Sequence, residues 1–175
     1  ERFTILASNP GWYPPMSPAE RAAWIERYAH GPALLEAAYA RVPAEARQWR
    51  PGPGKWSAHE IIVHCADSET NAHMRIRYVV AEREPLIVGY DQDAWARDFD
   101  YHSHPVELAF ATIRAVRANT VPLLRRLTDA DWTKAGRHTE HSQPYSGETW
   151  LVTYGEHLEV HSRQLERNIA AWGKR

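Results

Sequence analysis

From Trp150 to Trp172 the chain repeats a pattern that one kind of secondary structure satisfies. Trp150, Tyr154, His157, Leu158, His161, Leu165, Ile169 and Trp172 recur at steps of three and four, which puts them on one face of an α-helix. A strand would scatter the same residues over both of its faces. A stripe this broad and aromatic must be covered, so the helix needs other helices packed against it. Two positions of the stripe are histidines, His157 and His161. Residues four apart on a helix carry Cβ atoms about 6 Å from each other, close enough to reach one metal ion. In a chain with 10 histidines the spacing alone decides little. Their place on the covered face decides more, because buried imidazoles must find partners and a metal can supply them.

Breakers and caps divide the rest of the chain into similar units. Ser17-Pro18-Ala19-Glu20 and Ser57-Ala58-His59-Glu60 are capping boxes, the first with proline in the first helical turn. They predict helices over about 18–42 and 57–82, the first bent near Gly31-Pro32 and followed by the firm break Pro51-Gly52-Pro53-Gly54. A short helical piece is expected near 92–99, a third long helix near 105–127, and a fourth over 147–172 that stops at Gly173. The stretch 128–146 reads as polar and irregular, and no segment reads as a strand. The expected fold is all-α, a four-helix bundle with long inter-helix loops. Residues 1–16, with Pro10, Pro14 and Pro15, are expected to form an irregular arm, and 17–175 a single domain.

Bulk properties narrow the function classes. Hydrophobic content of 43% and charged content of 25% are ordinary for a globular protein. The net charge is −1 and no basic block stands out, which argues against nucleic acid as a partner. No apolar run is long enough to span a membrane. The single cysteine, Cys65, excludes an internal disulfide and, with no secretory-signal layout at the start, suits a cytoplasmic protein. Eight Trp and eight Tyr are side chains suited to pockets and interfaces, making a homodimer plausible.

An open zinc-type site needs a third protein ligand. On the second helix Ile61, His64, Cys65, Ser68, Ala72, Arg75 or Ile76, and Val79 form the inward stripe, and His64 lies on it. His59 and His73 fall off it and are expected to face solvent, while His102, His104, His138 and His141 lie in loops. The expected ligand set is therefore His64, His157 and His161. Cys65 diverges from His64 by about 100° around the helix and reads as a small buried hydrophobe. Asp67, one turn beyond His64, is a candidate to accept the second ring N–H of a ligand histidine. Glu60 reads as a cap. His138 is a candidate proton-transfer group or fourth contact, set against an exposed loop residue. Arg75 either binds a substrate carboxylate or forms an ordinary ion pair. Tyr90, Trp95, Trp150 and Tyr154 are candidate pocket walls, set against plain core packing.

The tract Lys55-Trp56-Ser57-Ala58-His59-Glu60-Ile61-Ile62-Val63-His64-Cys65-Ala66-Asp67-Ser68-Glu69, with Glu156-His157-Leu158-Glu159-Val160-His161, resembles the DinB/YfiT-like superfamily. Tyr90-Asp91-Gln92-Asp93 and His138 look like its branch of metal-dependent hydrolases and bacillithiol transferases. The resemblance runs from about residue 18 to 170. It implies a four-helix bundle and a divalent ion, usually zinc or nickel, held at the matching positions His64, His157 and His161. It also implies a small-molecule substrate, with a low-molecular-weight thiol as a possible co-substrate.

An ion held by three neutral imidazoles keeps its full charge and can activate water or a thiol. The leading expectation is thus a metal-dependent thiol transferase or hydrolase. The alternative is a non-catalytic helical module in which a structural metal ties two helices together, serving association or ligand binding.

Overall fold

The computed structural model describes residues 13–175, so the part of the expected arm at 1–12 lies outside the described residues. Six helices follow one another: α1 (Pro18–Ala40), α2 (Ala58–Ala81), α3 (Gln92–Asp98), α4 (Val106–Leu124), α5 (Asp129–Thr133) and α6 (Gly147–Trp172). Both expected capping boxes are present. Ser17 and Ser57 each accept the backbone N–H of the glutamate three residues on, and that glutamate reaches back to the cap.

The four long helices close a ring in which α1 packs on α6, α6 on α2, α2 on α4, and α4 on α1. α1 and α2, consecutive in sequence, therefore take opposite corners. The expected four-helix bundle is the architecture observed. Among the described residues no helix is long and apolar enough to cross a membrane.

The linker expected to be irregular is more ordered than its composition suggested. It contains α5 and two short strands, β2 (Ala135–His138) and β3 (Tyr145–Ser146). β2 pairs antiparallel with β3 and parallel with β1 (Leu86–Ile87), with Ile87 opposite His138. Strands of two to four residues show no alternation to detect, and these are set by pairing between distant segments rather than by local propensity. The sheet carries His138 out of the loop and into the body of the protein, where it is buried.

The apolar core has two parts. One gathers Leu35, Ile61, Ile62, Cys65, Ile113, Leu158 and Leu165. The other gathers Tyr28, Ala72, Ile76, Val121, Leu124, Trp150 and Tyr154. Between them each helix contributes one exceptional position: Gly31 on α1, Glu69 on α2, Arg117 on α4 and His157 on α6. Arg117, 1% exposed, crosses this layer. Its Nε and Nη2 donate to the two oxygens of Glu69 at 2.9 and 2.6 Å, and Nη2 also donates to the Tyr154 carbonyl at 2.9 Å. Nη1 donates to the Tyr28 carbonyl. The pair Gly31-Pro32, expected to bend α1, explains that last bond. Proline at 32 lacks the N–H that would occupy the Tyr28 carbonyl, and a Cβ at Gly31 would collide with the Arg117 guanidinium.

Candidate metal centre

His64 on α2 and His157 and His161 on α6 are all buried, and one ring nitrogen of each lies within 4.8 Å of the other two. The ring centroids are 4.8 Å apart for His157 and His161, 4.9 Å for His64 and His161, and 5.7 Å for His64 and His157. The three residues singled out on the two stripes are thus brought together.

Their hydrogen bonds fix which nitrogen is free. His157 Nδ1 lies 2.8 Å from Glu69 Oε1, and His161 Nδ1 lies 2.8 Å from Gln164 Oε1. Both acceptors demand a proton on Nδ1, which leaves the Nε2 lone pair bare. Nε2 of His157 and His161, and both nitrogens of His64, are buried with no hydrogen-bond partner among the described residues. A lone buried acceptor is costly, and several converging on one place fit a ligand that accepts lone pairs. The residues present therefore fit a divalent ion.

Glu69, not Asp67, supplies the carboxylate behind a cluster histidine. Asp67 instead accepts the Tyr101 hydroxyl at 2.5 Å, because its place on α2 turns it toward the 3₁₀ turn at Tyr101–Ser103. Burial raises the Glu69 carboxyl, but the Arg117 guanidinium and the His157 N–H outweigh it and hold it down to about 2. Glu69 thus stays an anion and a firm acceptor. It was missed in the sequence, although its position between Cys65 and Ala72 lies on a covered face of α2.

His59 and His73 are half-buried rather than solvent-facing, with His59 Nε2 2.8 Å from the His104 carbonyl and His73 Nδ1 2.9 Å from Thr120 Oγ1. Glu60 caps α2 and is bridged by Arg50. Cys65 is buried, and that burial pushes its thiol up, out of reach of reactivity. Trp150 is core, donating from Nε1 to the Ala72 carbonyl at 2.8 Å and packing on Tyr28. Trp56 lies against the His64 ring at 4.7 Å between centroids, and Tyr154 against His157 at 5.9 Å. His138 is buried beside Tyr145 and His141; its Nδ1 accepts the Glu140 amide at 3.1 Å and its Nε2 has no partner. Arg75 forms no ordinary ion pair among the described residues; it donates to the Tyr154 hydroxyl at 2.7 Å and the Val88 carbonyl at 2.6 Å.

Burial, and then the neighbouring imidazoles, hold His64 well below the usual histidine range and His161 down to about 3. Burial and then Arg75 hold His138 down to about 4. In an unfolded chain the same groups take up protons near the ordinary value of 6.5. Between these values the unfolded state binds more protons, so stability is intact above about pH 6.5 and falls as pH drops toward 3. For His161 alone the loss at pH 5 is about 2 kcal/mol, and His64 and His138 add to it. Urea midpoints of chelator-treated protein at pH 7.5 and pH 5 will show this; equal midpoints would refute it.

The sequence pattern that defines the DinB superfamily matches residues 27–165. A candidate metal-dependent hydrolase of Oceanobacillus iheyensis is 31% identical over 147 residues, which is 84% of this chain and 80% of that protein. One from Bacillus licheniformis is 29% identical over 157 residues, covering 89% and 86%. Among solved structures YfiT from Bacillus subtilis, described as a candidate metal-dependent hydrolase with an unusual four-helix bundle topology, superposes with a TM-score of 0.80. That match has 24% identity and covers 91% of this chain and 94% of YfiT. With its bundle, its stripe and its match across residues 27–165, the chain belongs to the DinB superfamily.

Proposed function

We propose that this protein is a metal-dependent enzyme acting on a small molecule, either a hydrolase or a transferase that uses a low-molecular-weight thiol. In this reading His64, His157 and His161 hold a divalent ion, zinc or nickel. The observation that carries it is the convergence of bare, buried imidazole nitrogens from two helices, none with a hydrogen-bond partner. Three protein nitrogens are the donor number of catalytic sites, whereas structural sites close with four. Among the described residues no fourth His, Cys, Asp or Glu joins this group. The names of the relatives from O. iheyensis and B. licheniformis support a hydrolase.

When bound, such an ion supplies a Lewis acid that makes water or a thiol nucleophilic at neutral pH. The chain's own groups prepare the place. Glu69 and Gln164 fix the tautomers and tilts of His157 and His161 through their Nδ1 protons. The Trp56 ring shields His64 from solvent. His138, neutral at pH 7 and accepting an amide at Nδ1, carries its proton on Nε2, where it serves as a hydrogen-bond donor to a substrate.

Metal analysis of the purified protein tests this directly. One equivalent of zinc or nickel is expected, together with chelator-sensitive turnover in a panel of esters and amides, or of electrophiles offered with a thiol. A clearly sub-stoichiometric ion after incubation with zinc and nickel would sink the reading. A stoichiometric ion without turnover in either panel would instead assign the metal a structural part.

A further inference from the structure

Beyond the Tyr154 ring, which packs on His157, lies a buried cation with no carboxylate partner among the described residues. Among the described residues three arginines are buried: Arg21, Arg75 and Arg117. Arg21 pairs with Asp129 at 2.5 Å and Arg117 with Glu69 at 2.6 Å. Arg75, 9% exposed, has only neutral hydrogen-bond partners among the described residues, the Tyr154 hydroxyl and the Val88 carbonyl. A guanidinium stays charged at any working pH and offers five N–H donors, of which these bonds use two. Holding such a charge out of water is expensive unless an anion meets it.

The surroundings offer a further unused polar atom. The guanidinium carbon of Arg75 lies 6.0 Å from the centroid of the Tyr90 ring, and His138 Nε2 is buried without a hydrogen-bond partner among the described residues. Tyr154 links this group to the imidazoles, since its hydroxyl meets Arg75 while its ring packs 5.9 Å from that of His157.

The charges add in one direction. Glu69 and Arg117 cancel each other, and Arg75 is left over with only neutral hydrogen-bond partners among the described residues. A divalent ion on the histidines would add charge of the same sign. The uncompensated charge of Arg75 favours an anion, and the planar fork of a guanidinium matches a carboxylate in a two-point contact.

We propose that Arg75 binds a carboxylate of the substrate, with Tyr90 and His138 lining the same subsite. The substrate class is then a carboxylate-bearing small molecule; naming it as substrate rests on the metal-dependent function proposed above. Arg75 acts as a binding and specificity residue.

The probes are mercaptoacetate, mercaptopropionate and mercaptobutyrate, each against its amide. They are titrated into cobalt(II)-loaded protein, read by sulfur-to-cobalt absorption, and into metal-free protein, read by thermal stabilisation. For the best-fitting length the wild type is expected to prefer carboxylate to amide about tenfold, the size of a charge-assisted hydrogen bond. Arg75→Gln is expected to abolish the preference, and Arg75→Lys, with charge but no fork, to keep part of it. Equal affinity for acid and amide in the wild type overturns the proposal, as does an undiminished preference in R75Q. If cobalt fails to load, the metal reading falls and the metal-free titration decides Arg75. There, a carboxylate that stabilises wild type no more than its amide overturns it. Should R75Q fail to fold, the wild-type ratio and R75K decide.

Discussion

Replacing Glu69 with alanine is expected to lower the unfolding free energy by about 3–5 kcal/mol, the cost of breaking a buried ion pair from one side. Arg117 is 1% exposed and Glu69 fully buried, so bulk solvent does not screen the charge left behind. Two of the guanidinium's donors lose their acceptors, and its charge is left in the middle of the bundle. The same change removes the acceptor that fixes His157, so metal affinity is expected to fall about 10–100-fold as well. Urea unfolding of metal-free protein isolates the first effect, and competition with a zinc-binding dye reads the second. The double change Glu69→Leu with Arg117→Met removes both charges and is expected to recover most of the stability, because an apolar replacement of a buried pair is often neutral. A loss below about 1 kcal/mol in E69A would show that the ion pair does not hold the bundle.

The elements that position the site were legible where a local rule governs them. The capping boxes at Ser17 and Ser57 started α1 and α2 where expected, and the stripes on α2 and α6 placed His64, His157 and His161 on covered faces. What stayed hidden depends on partners far away in sequence. Glu69 and Arg117 lie 48 residues apart, and neither spacing nor composition pairs them. Yet a signal was there: Ala109, Ile113, Arg117, Thr120, Val121 and Leu124 form one buried face of α4. An arginine inside such a stripe calls for a carboxylate on a facing helix, and Glu69 sits on the covered side of α2. Gly31-Pro32 was legible as an irregularity but not as the seat of that arginine. The short strands that bury His138 exist through pairing of residues 86–87 with 137–138 and of 135–136 with 145–146, which no periodicity announces.

Removing His161 offers the cleanest large effect on the site itself, because among the described residues its side-chain hydrogen-bond partner is Gln164 alone, whereas His157 is tied into the Glu69–Arg117 pair. Zinc binding to structural peptide sites is worth about 10–16 kcal/mol, which shared among three or four ligands gives roughly 3–4 kcal/mol for each. H161A is therefore expected to bind zinc or nickel several hundredfold more weakly, about 1.4 kcal/mol per factor of ten. Gln164→Ala, which frees the tautomer but keeps the ligand, is expected to cost about tenfold. His30→Ala, an exposed histidine on α1, is expected to cost nothing. The metal-free stability of H161A separates ligation from packing, for it reads the cost of removing a buried imidazole apart from the loss of a ligand. A metal affinity that drops while metal-free stability holds identifies His161 as a ligand. Unchanged affinity in H161A would show that the three imidazoles meet for some other reason, and the proposed chemistry would lose its centre.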